Sequence, residues 1–362
     1  MRLIKLSVAL LSLSLFIACG DDEEEARINV EVPDQFSVDI PSSISSNTGS
    51  LNGRTTGDDD GIIEGNEIYE SLRYFIHLGE ESAEVVELTL QIGAVLGANN
   101  ITSFTFEGDD DGRTKRIDLT DEVTRGGVSY EFEMTMVDTE NEDMALQVLW
   151  NTNPVSGVAI LKPYNLDRTD QEVVESAILR IDYTEDHATY EAAMTVSISG
   201  VEAIDNGDID NMKMFVGRNG DIVDVMGNSN HPNISIIDPD FEGGRNYAFV
   251  ARGDESTDLG VANLWLPPSD VTTNDFTAGD EYSVYAVLEA EIEAVADGFL
   301  TEQEIADILA EAYSPAYFND QGFITSGEDN KPMSFSDTFV DLSGMVPFVP
   351  NDVKNLTIDF IQ

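Results

Sequence analysis

Hydrophobic spacing along this chain changes from region to region, and each spacing predicts a different element. Residues 6–17 (LSVALLSLSLFI) are almost continuously apolar but too short to cross a membrane. Residues 27–40 alternate: Ile28, Val30 and Val32, then Phe36, Val38 and Ile40, with Pro33 and Pro41 as stops. That pattern predicts two short strands. Residues 41–60 are rich in Ser, Thr, Gly, Asn and Asp and read as a loop. Ile68, Leu72, Phe75 and Ile76 then recur at helical spacing up to Gly79, and Val85, Leu88, Ile92, Val95 and Leu96 do so up to Gly97. With glycine as a helix stop, these two runs predict a helical hairpin over 61–98.

From about residue 101 the period is two. Phe104 and Phe106 lead into the turn at 108–112 and back through Ile117 and Leu119. Alternation continues at 130–136, 179–183 and 190–198, and Met212, Met214 and Val216 run to Asn219-Gly220, a strong hairpin signal, and on to Val225. Further strand-like pieces are 144–150, 157–161, 245–251, 261–266, 282–288 and 355–361. A last helix is expected over 301–313, opened by the capping box Thr301–Glu304. The fold class is therefore mainly β (α+β): an antiparallel meander, half-barrel or sandwich, with the helical hairpin and the C-terminal helix on its dry face. The expected organisation is a leader at 1–18, a tether at 19–60, the helical hairpin at 61–98 and the β domain at 99–362. Residues 61–362 are expected to fold as one unit.

Arg2 and Lys5 precede the apolar stretch, and Phe16-Ile17-Ala18-Cys19 follows it. This arrangement resembles the signal peptide and lipobox of bacterial lipoproteins, with Phe16 where leucine is usual, as in the relaxed lipoboxes of Bacteroidota. The acidic run Asp21-Asp22-Glu23-Glu24-Glu25 is similar to the surface-export signal of that group. The resemblance implies cleavage before Cys19, lipidation of Cys19 and attachment to the outer membrane through its acyl chains, with the outer face favoured. Several buried chains, each methylene worth roughly 0.8 kcal/mol, make such attachment stable. The lone cysteine leaves no internal disulfide, so the fold rests on its core.

Charge narrows the partners. Seventy acidic residues against 18 basic ones give a formal net charge of −52, while 41% apolar residues argue against wholesale disorder. Such a surface repels nucleic acid and anionic lipid headgroups. High acidity with scarce lysine is also similar to proteins of saline habitats, where salt screens self-repulsion.

For chemistry, Thr56–Glu67 resembles an EF-hand calcium loop, with Asp58, Asp60, Gly61 and Glu67 at its third, fifth, sixth and twelfth places. Thr56 stands where aspartate is expected and no entering helix precedes it. The competing reading is an acidic loop capping a helix. His77, His187 and His231 show no paired metal spacing. No nucleophile elbow or phosphate-cradling loop is present. The expectation is a non-enzymatic, lipid-anchored envelope protein that binds a partner or extracellular ligand through the polar face of the sheet or its loops. The alternatives are a carrier holding a hydrophobic ligand between sheet and helices, which resembles half-barrel lipid and lipoprotein carriers in architecture, and a hydrolase with dispersed acids.

Overall fold

The computed structural model describes residues 30–33, 35–47, 63–98, 101–108, 111–169, 174–201, 209–232, 236, 244–295 and 300–362. After a long helix α1 (Gly65–Ala98) come β1 (Ser103–Glu107), β2 (Thr114–Arg125), β3 (Val128–Asp138), β4 (Asp143–Thr152) and β5 (Val155–Leu161), then the single turn α2 (Pro163–Leu166). β6 (Ile178–Thr184), β7 (Ala192–Ser199), β8 (Asn211–Asn219), β9 (Ile222–His231), β10 (Arg245–Asp254) and β11 (Leu259–Trp265) follow. The chain closes with α3 (Val284–Val295), α4 (Glu302–Ala310), β12 (Ala316–Asn319), β13 (Gly322–Ser326), α5 (Asp337–Val340) and α6 (Pro350–Lys354). Hydrogen-bonded neighbours follow chain order from β1 to β13, so the expected antiparallel meander is what forms. Thr301 and Glu304 make the expected capping box at the start of α4.

The described chain divides into two compact units. The first comprises the described residues up to Ser37, Glu81–Met194 and Ile358–Gln362. Its core is built from Met134, Met136, Leu146, Val148, Trp150 and Ile181, all essentially buried. The ring of Phe36 lies against Gly157, where any side chain would collide with it, and packs 5.3 Å from Tyr183. The second unit comprises Val38–Glu80 and Thr195–Thr357. On one face of its sheet, Tyr247 and His231 pack around Phe75 of α1. On the other, Val250, Val261 and Tyr317 pack with Phe335, Leu342 and Met345 of the C-terminal segment.

Four expectations are corrected. The helical hairpin at 61–98 is one uninterrupted helix of 34 residues. Gly79 does not stop it: a Cβ there would lie 2.3 Å from Met214 Cε, so the glycine lets the helix approach the sheet. Gly93 sits likewise against Met134 Sδ, at 3.2 Å. A straight helix of that length measures about 51 Å, yet among the described residues no helix is apolar enough to cross a membrane.

Second, within the predicted strands at 27–40 the described residues join no ladder. Their backbone is satisfied by helix carboxylates: in the first unit Glu87 accepts the Phe36 N–H at 2.9 Å, and in the second Glu80 accepts that of Ile40 at 3.2 Å. Third, 282–288 opens the helix α3. Val284, Val287, Leu288 and Ile292 are all buried at helical spacing, a periodicity that a seven-residue window cannot separate from a strand.

Fourth, 355–361 joins no strand ladder: Asn355 and Leu356 finish the turn that follows α6. In the first unit the Gln147 carboxamide grips Ile361, donating to its carbonyl at 2.9 Å and accepting its N–H at 2.8 Å. The short hairpin β12–β13 was not predicted from sequence.

Candidate functional site

Cys19, Asp58 and Asp60 lie outside the described residues. Glu67 stands in the first turn of α1, where its Oε2 accepts the Glu64 N–H at 3.0 Å. That contact is the capping role, with a carboxylate at the positive end of the helix. Among the described residues no cluster of three or more His, Cys, Asp or Glu side chains is placed to hold a metal.

The first unit holds a cluster of charges around the buried Asp138. Lys115 Nζ is buried, donating to Asp111 Oδ2 at 3.0 Å and to the Asn165 carbonyl at 3.1 Å, and lying 3.5 Å from Asp138 Oδ2. Arg113 Nε donates to the same Asp138 oxygen at 2.5 Å, and Arg168 Nε lies 3.3 Å from it. Arg168 also reaches Asp143, and its guanidinium lies over the Tyr164 ring. Burial alone would raise the Asp138 pKa, but the Arg113 guanidinium, the Glu140 N–H and the Lys115 ammonium outweigh it and hold the carboxyl at about 2. A carboxylate held that low is ionised throughout the neutral range and poorly suited to general acid or base work. What the cluster does is join the 108–114 turn, the 138–143 turn and α2.

The second unit has a neutral counterpart. Asn211, Asn228, Asn230 and Asn246 are buried on the polar face of β8, β9 and β10. Asn228 donates to the Phe348 carbonyl at 2.8 Å and Asn211 to that of Lys354 at 2.9 Å. Asn246 donates to Asn228 and more distantly to Pro350, while Asn230 donates to Asn246 and Ser269. The alternation had marked this face as wet. Here the C-terminal segment covers it, and the amides bond to its backbone and to one another.

One constellation looks catalytic. Ser229 Oγ and His231 Nε2 are 2.8 Å apart, the spacing of a nucleophile and its base. Both residues are fully buried, and the imidazole ring packs 4.9 Å from Phe75 and 4.6 Å from Tyr247. Sealed in this way, the pair satisfies a buried polar group. His231 ends β9. His187 is a local turn residue, its Nδ1 accepting the Thr189 and Tyr190 N–H groups, and His77 lies beside Ser45 and Glu80.

Every described arginine is ion-paired with a carboxylate. These arginines thus serve internal contacts, and the excess of carboxylates sets the sign of the surface field. No family model, curated protein or solved structure matches this chain.

Proposed function

We propose that this chain is a non-enzymatic lipoprotein of the cell envelope, held at the outer membrane by acyl chains on Cys19, whose acidic globule binds a partner protein or extracellular ligand. The observation that carries the reading is the junction Phe16-Ile17-Ala18-Cys19, behind a basic start and an apolar core and ahead of an acidic run. Two features of the fold support it. The charged cluster holds chain segments together, and the catalytic-looking Ser229–His231 pair is fully buried. Where α1 meets the sheet at Gly79 with Met214, and again at Gly93 with Met134, contact at those points is direct. That packing favours a binding module over a hydrophobic-ligand carrier.

The test is the intact mass of the protein purified from membranes of its native host. The expected result is a terminus starting at Cys19 and heavier by its acyl groups, with Cys19→Ala released from the membrane fraction. An unmodified or uncut terminus overturns the anchor, and turnover of a defined substrate by the purified protein overturns the non-enzymatic reading.

A further inference from the structure

The sheet ends in two edge strands, β1 and β13, and they are treated differently. An open edge is a template for pairing with another chain, so native folds blunt it with charge, proline, bulges or a covering group. On β13 the Phe323 N–H is taken by the carboxylate of Glu70, and the register slips at a bulge between Tyr317 and Phe318. β1 has five residues in unbroken register with β2, with no proline, lysine or bulge.

The direction of the β1 backbone groups follows from two bonds. Leu119 N–H donates to the Thr102 carbonyl at 2.7 Å, and Gly108 N–H to that of Arg113 at 2.8 Å. Opposed residues in an antiparallel pair alternate between exchanging both bonds and exchanging none. In the register Ser103–Asp118 to Glu107–Thr114, the backbone of Phe104 and Phe106 therefore faces β2. The N–H and C=O groups of Ser103, Thr105 and Glu107 face away from it, and among the described residues no strand pairs with that side. The Phe104 and Phe106 rings stack 6.0 Å apart, half-buried, beside this open edge.

Resting on the partner-binding reading above, we propose that β1 receives an extended segment of a partner protein as an added antiparallel strand. That segment carries apolar side chains that cover Phe104 and Phe106, alternating with lysine or arginine. Main-chain bonds to Ser103, Thr105 and Glu107 supply the pairing, and the alternate side chains supply selectivity. Charge selects a basic occupant over a second copy: the chain carries a formal net charge of −52, and the exposed Glu107 closes the strand.

Hydrogen exchange of the mature full-length chain tests this, using a synthetic ten-residue peptide that alternates lysine with valine. The expected result is at least tenfold slower exchange of the Ser103, Thr105 and Glu107 amides, with no change for a glutamate–valine peptide of equal length. Thr105→Pro removes an outward-facing donor without touching a ladder bond and abolishes the protection. Glu107→Lys, an exposed change that leaves the backbone intact, weakens it at least threefold.

No protection at millimolar lysine peptide, equal protection by the acidic peptide, or protection that survives both variants would falsify the proposal. Protection that grows with protein concentration in the absence of peptide overturns it in favour of self-pairing. The outcomes stay separable: an acylated Cys19 with an unresponsive β1 overturns only the edge, and an unmodified Cys19 with a protected β1 overturns only the anchor.

Discussion

Two junctions, one in each unit, hold outlying segments by different electrostatic means. In the first, Lys115, Arg113 and Arg168 converge on Asp138, and full charges fasten two turns to a short helix. In the second, Asn211, Asn228 and Asn246 fasten the C-terminal segment with neutral amides. Full charges suit side chains that meet side chains, because each desolvated ion must find its counter-ion. Amides suit docked backbone, because a carboxamide offers donors and an acceptor to a main chain of any sequence. The difference teaches that charge gathers where side chains must find one another and that amides dock backbone, as Gln147 also does for Ile361 in the first unit. At the second junction Arg252 adds bonds to the Phe339 and Asp341 carbonyls.

Removing the centre of the charged cluster breaks the comparison most sharply. Asp138→Asn leaves three cations facing an amide, and the expected loss is about 3–5 kcal/mol, read by urea unfolding. The same carboxyl predicts an acid response. Its pKa falls from the ordinary 3.8 to about 2 on folding. A lowered folded-state value means that the contribution, about 2 kcal/mol, is complete above about pH 4 and is lost as pH falls through about 2. The gap in unfolding free energy between wild type and Asp138→Asn should therefore narrow by about 2 kcal/mol between pH 4 and 2; a constant gap would show that the residue acts through packing alone.

Asn228→Ala orphans the Phe348 carbonyl and costs about 1–3 kcal/mol. Since no charge is involved, that loss should be the same at pH 4 and pH 8, and a pH-dependent loss would abolish the distinction between the units. Glu67→Gln is expected to have the smallest effect, below about 1 kcal/mol, because it weakens only a cap. The melting point should fall equally with and without calcium. A fall confined to calcium-containing buffer would instead make Glu67 an ion ligand of the loop that includes Asp58 and Asp60.

Much of the β architecture was legible because alternation and turn residues are local signals. Asn219-Gly220 set the β8–β9 turn, and Thr301–Glu304 set the start of α4. The misreadings came where a local signal has two physical causes. A glycine in a helical run either ends the helix or lets it approach a neighbour, and only Met214 beside Gly79 distinguishes the two. Polar alternate residues mark either a solvated face or one that docks a chain segment, and only Phe348 and Lys354 over Asn228 and Asn211 distinguish those.

By itself, then, the sequence determined the period of most strands, the acidity of the surface and the expectation of an anchor at Cys19, because each depends on neighbours along the chain or on composition. Only the tertiary structure decided that α1 is continuous, that Lys115 meets Asp138, that the amides bind the C-terminal segment and which β1 groups face outward. Those outcomes depend on residues distant in sequence brought within a few ångströms, and on the phase of a ladder that no single strand encodes.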